Sequence, residues 1–297
     1  LKGKIILPKF YFTRHTSDYK VLLDKLCNEL FWDIEYSDYP KINGYDILLI
    51  YGAPHHNRPY VLNYLCDTPK EVKIIGFMRD IQHYDKSNVK VAMDNMFNRY
   101  DAIITSNQGY FKKIYPEYID KTFYLNTHYS HPKYKEFYNE TPMKRCLLSG
   151  EQSENIYPIR SHIINNFDKM VLDYLPSPLI GHNIIDALYF NLLGKYFCCV
   201  TDTSVFEYTL SKFFEIPTVG SLLIADYIEE MKNLGFEPGV NFVEINKKNS
   251  IDQINDCIHH SEEYEGIRKE GKKFITKNHS LDIRFNQFKK VINEILN

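Results

Sequence analysis

Several short stretches of this sequence bring together residue types suited to binding phosphate, holding sugar hydroxyls or moving protons. In the run from Ser204 to Asp226, Lys212 and Glu215 stand three positions apart, so both side chains can face one site. A carboxylate there can accept two hydrogen bonds from a cis-diol, and an ammonium group beside it can balance a diphosphate. The same spacing also fits a solvated surface pair at a helix end. In Ser149-Gly150-Glu151…Tyr157-Pro158-Ile159-Arg160, a strand exits through Ser-Gly and a helix opens near a proline, which suits a first helical turn. Backbone N–H groups at such a turn attract anions, and Arg160 adds charge, although an ordinary strand-to-helix loop has this appearance too. Gly181-His182-Asn183 opens a further helix, where His182 is either a ligand contact or structural. In the first half, His55-His56 follows one apolar strand and Arg79-Asp80-Ile81-Gln82-His83 follows another. Asp80 can polarise His83, three residues on, and His55 is a second candidate base; a loop ion pair Arg79-Asp80 is the plainer alternative.

These groups need elements to position them, and apolar runs supply the pattern. Short runs at Lys4–Pro8, Tyr45–Tyr51, Lys73–Met78 and Asp101–Ser106 read as strands, with a weaker one around Trp32–Tyr36. Between them lie helical stretches at Tyr19–Leu30, Arg58–Cys66, Val89–Arg99 and Gln108–Ile114. The cycle lapses around Asn126–Pro142 and restarts with strands at Lys144–Ser149, Met170–Tyr174, Tyr196–Thr201, Pro217–Ile224 and Asn241–Ile245. Helices are expected at Tyr157–Asn166, Ile184–Leu193, Phe206–Phe213, Ala225–Asn233, Ser250–Glu262 and Tyr264–Lys277, and a final striped helix at Leu281–Leu296. Such alternation predicts βαβ units and parallel sheets. The expected organisation is a first Rossmann-like domain over 1–130, a linker at 131–143, a second over 144–278, and a C-terminal helix over 279–297 that packs back on the first domain. Ligands in such sheets bind beyond the strand carboxyl ends, here in a cleft between the two facing halves.

Composition narrows the function classes. Apolar residues make up 44% of 297 and charged residues 25%, the proportions of a globular protein. A formal charge of −2 lacks the basic excess of a general nucleic-acid binder. The 24 Tyr and 19 Phe fit either sugar-handling surfaces or a biased composition. Six cysteines form no CxxC pair, which points to free core thiols in a reducing compartment and to no metal site. The sequence has neither an apolar run long enough to span a membrane nor a signal peptide, and a cytoplasmic location is expected. It opens on Leu1 rather than Met, consistent with one domain of a longer protein. No GxGxxG or Walker A sequence supports a dinucleotide oxidoreductase or a P-loop enzyme.

The segment Lys212-Phe-Phe214-Glu215-Ile-Pro217-x-x-Gly220-Ser-Leu-Leu resembles the donor-binding signature of GT-B glycosyltransferases, closest to the spore-maturation-protein-like group. Gly235-Phe236-Glu237-Pro238-Gly239-x-Asn241-Phe242-Val243 and the terminal helix with Arg284 are similar to the segments that follow it, so the resemblance covers about the last third. The Tyr-Pro-x-Arg at 157–160 is similar to family members as well. The double-glutamate motif of the retaining relatives is only partly present, with Glu207 eight residues before Glu215. The resemblance implies a GT-B α/β fold that takes a UDP- or GDP-sugar as donor and a glycan as acceptor. Glu215 would grip the ribose, with Lys212 near the phosphates. Ser149, Gly150, Tyr157, Arg160, His182 and Phe214 complete the expected donor site. No metal is expected, since cations and helix N-termini neutralise the leaving diphosphate. Asp202, in Thr201-Asp202-Thr203, lacks the second carboxylate of a DxD. A non-catalytic glycan or nucleotide-sugar binder and a sugar-nucleotide epimerase of the same fold are the competing readings.

Overall fold

The computed structural model describes residues 1–7, 17–37, 40–51, 65, 67–78, 81, 87–176 and 183–297. The chain divides into two compact units, Leu1–Thr127 with Phe285–Asn297, and His128–Arg284.

In the first unit, β1 (Gly3–Leu7), β2 (Asp33–Tyr36), β3 (Ile47–Tyr51), β4 (Lys73–Met78), β5 (Ala102–Thr105) and β6 (Thr122–Tyr124) form a sheet ordered β2-β1-β3-β4-β5-β6. All of its pairings are parallel. β1, β3 and β5 are buried at every position, because parallel strands covered on both faces must be apolar throughout. β2 lies at the sheet edge and has no fully buried position. α1 (Ser17–Leu30), α2 (Ser87–Arg99) and α3 (Gln108–Ile114) accompany the sheet. Much of the aromatic content is packing material: Phe97 meets Tyr115 and Tyr118 edge-on at 4.9 and 5.2 Å. Apart from Leu65, the expected helix at 58–66 falls on residues outside those described.

In the second unit, β7 (Met143–Ser149), β8 (Leu172–Leu175), β9 (Tyr196–Val200), β10 (Leu222–Ala225) and β11 (Val243–Glu244) form a sheet ordered β11-β10-β9-β7-β8, again parallel. Read from β8, this is the order found at β2-β1-β3-β4-β5, so the two units repeat one topology. Its helices are α4 (Pro158–Ile164), α5 (Asn183–Lys195), α6 (Lys212–Thr218), α7 (Glu229–Asn233), α8 (Ser250–His259) and α9 (Ser261–Asn278), followed by α10 (Leu281–Leu296). Side-chain alternation builds two cores. Cys146, Leu148, Cys198 and Val200 join Ile254 and Cys257 on one face. Leu147, Cys199 and Leu223 join Phe213, Phe214 and Phe236 on the other. The cysteines described are free, and burial raises the Cys198 and Cys199 thiols well above their usual range, which makes them inert packing groups.

Three elements depart from the sequence pattern. Residues 131–143, expected as a linker, pack within the second unit, where Tyr134 stacks on Phe190 with ring centroids 3.5 Å apart. β6, a three-residue strand with every position part-buried, lacks the apolar run that marked the others. No helix forms over Phe206–Phe213: the helix is α6, Lys212–Thr218, and Pro217, expected to open a strand, lies inside it. Residues 201–211 instead form a loop with Ser204 and Glu207 at φ of 67° and 53°. Two threonines are diverted from helical bonding. Thr203 donates through N–H and hydroxyl to Asp226 at 2.8 and 2.5 Å, and Thr209 does so to Glu230 at 2.8 and 3.1 Å. Gly220, with a φ of 81°, ends α6: its N–H bonds the Pro217 carbonyl at 3.0 Å, and Ser221 N–H reaches back to Ile216 at 3.2 Å.

The C-terminal segment from Phe285 belongs to the first unit, where Phe288 meets Phe77 at 5.3 Å and Lys73 Nζ donates to the Ile295 carbonyl at 3.2 Å. Among the described residues, no helix is long and apolar enough to cross a membrane.

Candidate functional site

In the second unit the chain leaves β7 toward β8 on one side and reaches β9 on the other. Strand order therefore reverses between β7 and β9, and the carboxyl ends of such a pair open a crevice. The residues there are Ser149, which ends β7, with Gly150 after it, and Thr201-Asp202 after β9.

Gly150 adopts a φ of 105°, a conformation that favours glycine, and two cations converge on its open face. A side chain at this position would collide with the Lys212 ammonium and come within 3.5 Å of an Arg160 Nη1. Lys212 donates to the Ser149 carbonyl in a short hydrogen bond. It occupies the first position of α6, and Glu215 falls in the same first turn, so the three-residue spacing does place both on one face. Both residues are half-buried. Burial, together with the nearby Arg160 charge, brings Lys212 down to about 7, against the opposing pull of Glu215 and Asp202.

Arg160 is 2% exposed and its guanidinium is held on every side. Nε forms a 2.7 Å ion pair with Asp202 Oδ1, set off the line a hydrogen bond requires. Nη2 donates to Thr201 Oγ1 at 2.8 Å and to the Asp202 carbonyl at 3.3 Å, and Nη1 donates to the Glu151 carbonyl at 3.3 Å. The group lies 3.9 Å from the Tyr157 ring centroid, in cation–π contact. Asp202, 1% exposed, also accepts the backbone N–H of Arg160 at 3.2 Å and that of Ile159. Burial raises the Asp202 carboxyl, and Arg160 works against that shift.

This changes the expected anion chemistry in one respect. The first turn of α4 was expected to offer free N–H groups, but those of Ile159 and Arg160 are taken by Asp202. The charge attraction at Gly150 comes from the Lys212 and Arg160 side chains.

The other predicted residues divide clearly. Ser149 is buried, with Oγ 3.1 Å from the Tyr189 hydroxyl. Tyr157 lies beneath Arg160. Phe214, grouped with the donor site from the sequence, is fully buried in the core, facing His279 at 5.4 Å and Phe236 at 5.9 Å. Its position within α6, about 100° around the helix from Glu215, turns the ring into the apolar core. His182, His55, Asp80 and His83 lie outside the described residues.

Sequence reasoning overlooked two participants. Tyr189 sits in the apolar helix α5, where nothing distinguishes it from a core residue. Its hydroxyl nonetheless meets Ser149, and burial followed by the Glu215 charge raises its pKa well above the ordinary value. Asp202 was passed over as half of a missing metal motif, although the polar run Thr201–Ser204 directly after the apolar β9 is a usable signal. Among the described residues, no group of three or more His, Cys, Asp or Glu is arranged to hold a metal.

Comparisons with known proteins bear on this geometry. Residues 191–290 match a family profile described as Glycosyl transferase-like, a span that includes α6 and the loop before it. No curated protein matches the sequence. Among solved structures, Anabaena HepE in complex with UDP and glucose superposes with a TM-score of 0.66 at 10% identity, covering 99% of this chain and 100% of that one. Sucrose-phosphate synthase from Thermosynechococcus elongatus gives 0.66 at 9%, covering 99% of each chain. An alpha-glucosyltransferase bound to UDP and a 13-mer DNA containing an HMU base gives 0.65 at 8%, covering 98% of this chain and 99% of that one. At these identities the likeness is one of fold: the chain has the α/β GT-B architecture, and residues 191–290 carry a glycosyl transferase-like segment.

Proposed function

We propose that this protein transfers a sugar from a nucleoside-diphosphate sugar to a hydroxyl of a glycan or glycoconjugate. The carrying observation is the convergence of Lys212 and Arg160 on the open face of Gly150, with Glu215 one helical turn from Lys212. Two cations at a strand-order reversal suit a diphosphate, and a carboxylate beside them suits the ribose diol. As the bond between the anomeric carbon and the diphosphate breaks, negative charge grows on the leaving oxygen. Lys212 and Arg160 are preorganised to stabilise that charge without a metal ion. Ser149, Gly150, Tyr157 and His182 complete the donor side in this reading. UDP is named with two of the superposed structures, which makes UDP-sugars the first donors to test, ahead of GDP-sugars.

The first unit would supply the acceptor side. A base that takes the acceptor hydroxyl proton is needed if transfer inverts the anomeric centre, and Asp80, His83 and His55 are the candidates. The similarity at Lys212–Gly220 supports kinship with the spore-maturation-protein-like group, and a cytoplasmic location accords with a nucleotide-sugar donor.

The test is nucleoside diphosphate release from UDP-, GDP- and dTDP-sugars, with and without sugar acceptors, after a thermal-shift screen for binding. Acceptor-stimulated release supports the reading. Tight donor binding without release would make the protein a binder, and isomerisation of the donor without acceptor would make it an epimerase.

A further inference from the structure

Asp202 has a use that donor binding alone does not explain. α4 opens at Pro158, and its preceding residue, Tyr157, supplies no capping side chain. The cap comes instead from the far side of the strand-order reversal: Asp202, after β9, accepts the N–H groups of Ile159 and Arg160. The same carboxylate pairs with Nε of Arg160 at 2.7 Å. One buried side chain thus fixes both the backbone and the guanidinium of a single arginine. Thr201 Oγ1 and the Asp202 carbonyl occupy Nη2, which leaves Nη1 as the end nearest Gly150. The loop carrying Asp202 is itself anchored one residue later, where Thr203 makes its two bonds to Asp226.

We infer that Asp202 is a positioning residue that caps α4 from across the sheet and aims Nη1 of Arg160 at the diphosphate site beside Gly150. An arginine held by its backbone and by three of its edges is preorganised, so little conformational freedom remains to be lost when an anion arrives. Asp202 also offsets part of the repulsion between Arg160 and Lys212 while the site is unliganded. The inference rests on the donor-site reading for the identity of the anion; the packing argument about Arg160 stands apart from it.

Asp202→Asn keeps an acceptor for the cap but removes the charge that holds Nε. Its effect is read by calorimetric titration with UDP and with uridine, in the wild-type and Arg160→Ala backgrounds. Loss of one charge-assisted orienting contact should weaken UDP binding by about 10-fold, with uridine affinity changed less than about twofold. In the Arg160→Ala background, Asp202→Asn should cost nothing further. Equal losses for UDP and uridine, or an undiminished loss without Arg160, would overturn the inference. A ligand-free readout accompanies these: the Arg160 backbone N–H, bonded to Asp202 at 3.2 Å, should exchange slowly with water in the wild type and fast in Asp202→Ala, which removes the cap. If UDP and uridine both fail to bind the wild type, the reading of the donor as a UDP-sugar falls, and the exchange measurement still decides the role of Asp202. Equal exchange in the two proteins overturns it.

Discussion

If the anion at Gly150 is a diphosphate, donor binding must be coupled to a proton. Lys212 is brought down to about 7 in the unliganded protein by burial and by Arg160. A diphosphate placed between the two cations favours the charged form and returns Lys212 toward its usual 10.5. Below pH 7 the lysine is already charged, so affinity is at its full value and independent of pH. Above pH 7 binding must first recharge it, and affinity falls tenfold per pH unit until the bound-state pKa is reached. Between pH 7 and pH 9 the loss is about 50-fold, and at pH 8 each binding event takes up about 0.9 proton. The other groups acting on Lys212 do not produce this slope. Glu215 and Asp202 act in the opposite direction, and burial drives Cys199 well upward. Asp226, raised to about 6 chiefly by burial, titrates on the acid side of the window. The assay is isothermal titration with UDP-glucose, whose diphosphate charge is constant over this range, in buffers of different ionisation enthalpy. Lys212→Arg should flatten the profile, because guanidinium remains protonated throughout. A flat wild-type profile between pH 6 and pH 9, or an undiminished slope in Lys212→Arg, would refute the reasoning.

Three further outcomes are expected. Glu215→Ala should lower UDP-glucose affinity by ~10- to 100-fold through lost ribose bonds, with melting temperature preserved; an unchanged affinity would remove Glu215 from the site. Gly150→Ala forces a side chain into a φ of 105° and into the space of the Lys212 ammonium. It should cost about 1–2 kcal/mol of stability in chemical denaturation and weaken UDP-glucose binding as well. Phe214→Leu should cost roughly 1–2 kcal/mol of stability and leave donor affinity unchanged, since the ring packs among His279 and Phe236; a selective affinity loss would return Phe214 to the donor site.

The parallel sheets were legible because their strands must be apolar on both faces, and runs such as Ile47–Tyr51 and Tyr196–Val200 have no other use. Ends were less legible where tertiary bonds decide them. The loop over 201–211 is set by Asp226 and Glu230 from beyond β10, and a pattern of local apolar spacing cannot register partners about twenty residues away. Lys212, Glu215 and Gly150 could be singled out from residue type and spacing. Phe214 shared their segment but not their face, because the helix starts at Lys212 rather than ending near it, which fixes where each side chain points. Asp202 needed the strand order itself: only the adjacency of β7 and β9 brings it to Arg160, forty-two positions earlier in the chain.

The return of Phe285–Asn297 to the first unit bears on how the protein is made. A domain that emerges first from the ribosome ordinarily folds first, at elongation speeds of about 5–20 residues per second. Here residues 1–127 leave the tunnel without the segment that covers Phe77 and receives the Lys73 ammonium. The second unit, contiguous from His128 to Arg284, is synthesised before the first receives its last piece. The nascent first unit therefore exposes part of its apolar surface throughout that interval, and the unit begun first is the one completed last.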